Sequence, residues 1–355
     1  MEMRALIRDL LPGRRWLALA AAVALTAGVA TPLLAQTVSL SRWTMPANVQ
    51  DIALDSFDDV WVQTNGMDGL RELDPATKEL TTYTTAGVSH ATAITVDGAD
   101  NVWSPGSITG AEVVQVISRL DPITLEVTSW PAGFTAVSVA VDSLGNAWFL
   151  SATNTISRLV PATDTVTRWK LPFDISFGGF DASDRPLFSY VAGTEWGLAR
   201  LDPATNAFTN WPVTTDPDTV QRPSVDGAFN LWAVLRHSVG EDAIIRLNPA
   251  TDTITEWTCR PGCDQLTDVV VDALGNVWFT EDFPTSRFIS TIGRLDPTTP
   301  PAFTEWQLTC PNLGSSSSIC DRTPRSPLVD SAGDIWMRII GTSFNPTTEI
   351  VRLRP

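Results

Sequence analysis

The sequence predicts an all-β fold, a seven-bladed β-propeller with four antiparallel strands per blade and a last blade closed by an N-terminal strand. Three observations carry this. One unit recurs seven times along 355 residues. Each copy divides into four short β-prone runs separated by turn residues, which is the layout of a propeller blade. The final copy lacks its fourth run, and a matching run stands near the start of the chain.

Tryptophan marks the unit. Trp61, Trp103, Trp148, Trp232, Trp278 and Trp336 each follow a short turn, and Leu187 fills the remaining place. Successive intervals are 42, 45, 39, 45, 46 and 58 residues. An aspartate lies six positions before every marker: Asp55, Asp97, Asp142, Asp181, Asp226, Asp272 and Asp330. The run from Asp272 to Asn276 shows the pattern, a hairpin turn leading into Val277 and Trp278. After each marker comes an apolar-x-Arg-Leu-x-Pro motif. Its arginines are Arg119, Arg158, Arg200, Arg246, Arg294 and Arg352, with Glu72 in the first unit. The proline presets φ for the next turn. A Thr-rich run then carries Tyr83, Trp130, Trp169, Trp211, Trp257 or Trp306. No continuous helical period is present, which excludes helical solenoid repeats.

The ends complete the count. The chain stops at Pro355, after the third strand of a unit. Ser41-Arg42-Trp43-Thr44 matches Glu256-Trp257-Thr258 and Glu305-Trp306-Gln307. Residues of about 39–46 are therefore expected to supply the outer strand of the seventh blade and remove its unpaired edge. Twelve of the fourteen tryptophans occupy repeat positions. Side chains that follow the repeat read as packing, so functional residues should be those that break it.

Residues 1–35 differ in kind. Arg4, Arg8, Arg14 and Arg15 precede an apolar run from Trp16 to Ala30, with small residues before Gln36. This is the layout of a secretory signal peptide, leaving residues 36–355 as a single propeller domain. The expected product is exported, periplasmic or extracellular, monomeric, and without a stable membrane span once the signal is removed. A net charge of -16 repels phosphate backbones and argues against nucleic acid as a partner. Four cysteines allow three pairings. The local pairs Cys259–Cys263 and Cys310–Cys320 are expected, because each lies within one short loop. The spacing does not fit a zinc knuckle.

Strand order places the loops between fourth and first strands, and between second and third strands, on one face. The Asp and Asp-Pro turns share the other. Gly275 to Glu281, then Ile292 to Pro297, then Phe303 to Trp306 resemble a blade of the virginiamycin B lyase (streptogramin lyase) family. The likeness extends more loosely over residues 39–355. It implies a carbon–oxygen lyase that opens a cyclic ester by elimination with Mg²⁺, histidines and glutamates. Glu281 matches the glutamate slot, which holds Thr64, Gly106, Ser151, Tyr190, Leu235 and Ile339 in the other blades. The histidine slot holds Gln50, Thr92, Val137, Ser176, Gln221, Thr267 and Arg325, none of them histidine. Elimination needs a base near neutral pKa, so a ligand-binding or interaction propeller is expected before an enzyme.

Two histidines exist, His90 and His237, and the plain reading places both in surface loops. A relocated catalytic pair would be Glu281 with His237. Glu281 and Asp282 would bind a metal, with Asp264 and Asp268 nearby as further hard oxygen donors. Asp282, His90 and Thr267 would contact a small-molecule or protein ligand on the face bearing Glu281.

Overall fold

The computed structural model describes residues 39–355 apart from 46–47, 65–68, 86, 91, 214–218, 238–239, 260–264, 282–290, 298–300, 308–322 and 341–347. The expected signal peptide, Asp264, Asp282, Cys263, Cys310 and Cys320 lie outside the described residues.

The chain enters with β1 (Ser39–Thr44). Blade 1 then holds β2 (Val49–Leu54), β3 (Val60–Thr64), β4 (Leu70–Asp74) and β5 (Glu79–Tyr83). Blade 2 has a divided inner strand, β6 (Val88–His90) and β7 (Thr95–Val96), followed by β8 (Val102–Thr109), β9 (Val113–Leu120) and β10 (Val127–Pro131). Blade 3 comprises β11 (Ala136–Val141), β12 (Ala147–Ser151), β13 (Thr155–Val160) and β14 (Thr165–Lys170). Blade 4 comprises β15 (Asp174–Phe180), β16 (Pro186–Ala192), β17 (Glu195–Asp202) and β18 (Ala207–Pro212). Blade 5 comprises β19 (Thr219–Val225), β20 (Leu231–Arg236), β21 (Ala243–Asn248) and β22 (Thr253–Thr258). Blade 6 comprises β23 (Leu266–Val271), β24 (Val277–Glu281), β25 (Thr291–Asp296) and β26 (Ala302–Gln307). Blade 7 adds β27 (Thr323–Val329), β28 (Ile335–Ile340) and β29 (Glu349–Arg354).

These are seven small antiparallel sheets in a ring, a seven-bladed β-propeller. The seventh sheet runs β1-β29-β28-β27. Strand β1 pairs with β29 from Ser39↔Arg354 to Thr44↔Glu349, so the expected closure is present. It is reinforced by a 2.8 Å ion pair between Arg42 and Glu349. Trp43 stacks on Trp336 with ring centroids 5.2 Å apart.

The repeated residues each have a visible task. In six blades the indole N–H of the marker tryptophan donates to the aspartate six positions earlier, at 2.7 to 3.1 Å. The other oxygen of that carboxylate accepts backbone N–H groups of its own turn, as Asp272 does from Leu274 and Asn276. One side chain thus fixes the turn and satisfies a buried donor. In blade 4 Leu187 has no N–H to offer. There Arg185 donates to Asp181 at 2.8 Å and Arg200 approaches it at 3.5 Å.

In five blades the motif arginine lies over two tryptophans of its own sheet, and in blade 4 Arg200 lies over Trp211 alone, at 5.4 Å. Arg246 is 5.6 Å from Trp232 and 5.5 Å from Trp257, a cation–π stack. Blade 1 replaces the set with Glu72 and Tyr83, whose hydroxyl donates to the carboxylate at 2.5 Å. The tryptophan face of each blade packs against the next blade. Trp148 and Trp169 meet Phe188 and Leu201, and Trp336 meets Val60 and Val62 across the closure. Seven such clusters fill the seven junctions, so the core is a ring of interfaces and not one central mass.

Replacing Asp272 by alanine should therefore cost about 2–3 kcal/mol, because the buried Trp278 N–H and two turn amides lose their acceptor together. Chemical denaturation followed by tryptophan fluorescence measures it, and an unchanged midpoint would contradict it.

Candidate functional site at the channel mouth

The inner strands of six blades are bulged, the bulge of blade 4 lying two residues nearer the Asp turn than those of blades 1, 3 and 6. The register slips between Val49 and Asp51, Ala136 and Ser138, Phe177 and Gly179, Gln221 and Ser224, Leu266 and Asp268, and Arg325 and Leu328. In blade 2 the strand breaks there into β6 and β7. A bulge leaves a residue outside the ladder and re-aims its side chain. The slots that the sequence singled out, from Gln50 to Arg325, fall in or beside these irregularities.

The bulges divide the mouth into two halves. Blades 5, 6, 7 and 1 bring Arg222, Asp268, Arg325, Ser326 and Asp51 together, with Arg338 of β28 behind them. Asp268 is 3.5 Å from Arg222 and 3.7 Å from Arg325. The Ser326 hydroxyl donates to Asp51 at 2.9 Å and accepts from Arg338 at 3.3 Å and Arg222 at 3.5 Å. Arg338 also donates to the Val49 carbonyl at 2.9 Å. Burial lifts the carboxyls of Asp51 and Asp268 above the ordinary aspartate range, with Arg338 and Arg222, respectively, pulling hardest the other way. In the other half Thr92 donates to the Val137 carbonyl at 3.2 Å, Val137 is exposed, and the exposed carboxylate of Asp174 stands at the start of β15.

Asp268 cannot serve the cation site expected around Glu281, since two guanidiniums already face it. Thr267 is fully buried, and its hydroxyl meets that of Thr280 at 2.7 Å, so it does not reach a ligand in the channel. Glu281 ends β24 opposite Leu266 and Thr291. Its side chain is fully buried, with a carboxylate oxygen within 4.8 Å of ligand atoms of Cys259 and Glu305. Cys259 is not a free thiol, and sulfur is a poor partner for a hard cation. Among the described residues two carboxylates remain, without histidine in the slots, and this set does not fit the magnesium ion of the resembling family.

The structure places His90 within β6, not in a surface loop. It is buried, its Nδ1 lies 3.1 Å from the Ser104 hydroxyl, and burial lowers its pKa to about 4. A short strand segment was not legible there because β6 has only three residues. His237 follows β20, and its backbone N–H donates to Asp242 at 2.9 Å. The second oxygen of Asp242 accepts from Leu266 N–H at 2.8 Å, and Leu266 pairs with Glu281. Asp242 thus ties His237 to the Glu281 corner. His90 lies in blade 2, remote from that corner in blade order.

A cleft of about 560 Å³ lies on the face of the Asp turns, between blades 2 and 3. Its carboxylates Asp97 and Asp164 are already bound to the indoles of Trp103 and Trp130.

No model of a known protein family matches the sequence, and no curated protein matches it. Solved structures do. Virginiamycin B lyase from Staphylococcus aureus superposes with a TM-score of 0.66 over 90% of this chain and 100% of that one, at 16% identity. The chain has the fold of virginiamycin B lyase. A streptogramin B lyase structure gives 0.65 at 17% identity, covering 89% of this chain and 98% of that one. YCF48 bound to D1 peptide gives 0.61 at 11% identity, covering 88% and 96%. The lyase fold therefore accommodates both an enzyme and a peptide-binding protein, and the fold alone does not choose between them. Among the described residues no helix is long and apolar enough to cross a membrane.

Proposed function

We propose that this chain is an exported, monomeric propeller that binds a small-molecule or protein ligand at the channel mouth, on the face bearing Glu281, without ester elimination. The observation that carries this reading is the burial of both residues at the blade-6 slots: Thr267 and Glu281 are fully covered. Neither can take a proton from a substrate in the channel. His90 is no substitute, being buried and bonded to Ser104. What the mouth does present is a half lined by guanidiniums and carboxylates and a facing half with exposed Val137, the features of a recognition surface.

The test is incubation with a type B streptogramin and Mg²⁺. Ring opening by elimination leaves the mass unchanged, so it is followed by chromatographic retention. The expected result is intact antibiotic at high protein concentration. Turnover that disappears in Glu281→Gln would instead establish the lyase reading, with His237 as the base to examine next. Export carries its own test. Cys259–Cys263 and Cys310–Cys320 are proposed as disulfides of an oxidising compartment, so alkylation of the native protein should label no cysteine before reduction.

A further inference from the structure

The charged half of the mouth is poorly explained as scaffolding. The repeated structural bonds of this fold are short, such as the tryptophan–aspartate pairs at 2.7 to 3.1 Å. The contacts of Arg222 are long, 3.5 Å to Asp268 and 3.5 Å to Ser326, and its side chain is 53% exposed. Arg222 also meets Arg338 at one shared acceptor, Ser326, and flanks Asp268 together with Arg325. Three guanidiniums therefore converge on two carboxylates. Among the described residues the surplus in this cluster is positive, in a chain whose net charge is -16. An exposed guanidinium with donors to spare suits a carboxylate, whose two oxygens match its fork.

The facing half differs in kind. Val137 is 38% exposed within its bulge, and Thr92 turns its hydroxyl to the Val137 carbonyl. Gly178, in the bulge of β15, lets Pro223 and Leu231 of blade 5 pack closely, since a Cβ there would lie 2.9 Å from Pro223 and 2.8 Å from Leu231. No charged side chain comes from the bulges of β11 and β15 or from the break between β6 and β7, and the exposed carboxylate on these inner strands is Asp174 at the start of β15.

We propose that the channel mouth binds an organic carboxylate with an apolar body, its acid group on Arg222 beside Arg325 and Arg338, its body against Val137. Burial holds Arg338 below the ordinary arginine range. Asp51 and Asp268 raise it again, while Arg222 and Arg325 push it further down. An added anion relieves that repulsion. The proposal rests on the binding reading above and gives it a ligand class.

Octanoate is the probe, titrated into the full exported chain by calorimetry, with octanol and octylammonium as matched controls. Octanoate should bind saturably with a Kd of about 1 mM or tighter, at least about tenfold better than either control. Arg222→Gln should weaken it about tenfold, measured at a temperature where the variant is shown folded by circular dichroism. Val137→Asp should weaken octanoate by a similar factor. Equal binding of all three probes, or no effect of Arg222→Gln, would overturn the assignment. So would the absence of octanoate binding. The streptogramin assay on the same preparation separates the two failures: ring opening refutes the binding reading, whereas missing octanoate binding alone refutes only the carboxylate.

Discussion

A chain that begins after residue 45 should unfold with a loss of about 5 kcal/mol or more, most of the stability of an ordinary domain. Strand β1 contributes six paired residues to blade 7. Its removal exposes the full edge of β29 and strips Trp43 from its stack on Trp336. It also leaves Glu349 without Arg42 and Arg352 with one ring instead of two. Because Trp336 in turn packs on Val60 and Val62 of blade 1, the loss reaches the junction that closes the ring. The single replacement Trp43→Ala should cost about 2 kcal/mol, less than the 3–5 kcal/mol of a fully buried tryptophan, since Trp43 is only half-buried. Chemical denaturation compares both with the parent chain. A synthetic peptide of residues 39–46 added to the shortened chain should restore the parent transition. Equal midpoints in all three proteins would mean that the ring does not depend on its closing strand.

The same strand shows what can be read from a sequence of this kind. Trp43 was identifiable because it repeats Trp257 and Trp306, and repetition reports packing that every blade must satisfy in the same way. The aspartate six positions before each marker was visible as a pattern, and the reason for that spacing is the indole hydrogen bond. The exception obeys the same physics: with Leu187 in place of tryptophan, Arg185 and Arg200 answer Asp181. The channel mouth was not legible in this way. Asp51 and Ser326 are hydrogen-bonded across 275 residues, and they meet only because the ring closes. Arg325 was identifiable as an odd residue in its slot, but its partner Asp268 read as part of a cation site. Nothing in linear spacing reveals that Arg222 and Arg325 stand on either side of it. The bulges compound this, since each displaces its inner strand from the alternation that would otherwise predict which side chain faces the channel.

His90 should give the fold a pH dependence that the rest of the chain does not mimic. Its pKa falls from 6.5 to about 4 because burial disfavours the charged ring. In the unfolded chain the imidazole takes a proton near pH 6.5. In the fold it resists until pH 4. Between those values the unfolded state binds more protons, so stability declines as the pH falls. The stabilisation is whole above pH 6.5 and gone below pH 4, with a total of about 3 kcal/mol, of which about 2 kcal/mol should be lost between pH 7 and pH 5. Asp51, Asp55 and Asp268 act in the opposite sense, because carboxyls raised by burial bind protons in the fold first. Stability from their protonation grows as the pH falls through their raised pKa values toward 3.8, and this contribution is common to the parent and a His90 variant, so the difference between the two isolates the histidine. His90→Asn keeps a polar partner for Ser104 and removes the titrating ring. Denaturation midpoints of the two proteins at pH 7 and pH 5 give the comparison, with the parent losing about 2 kcal/mol more than the variant. Parallel losses in the two would show that the ring is not held neutral by its place in β6, and that the inner strand of blade 2 opens readily to water.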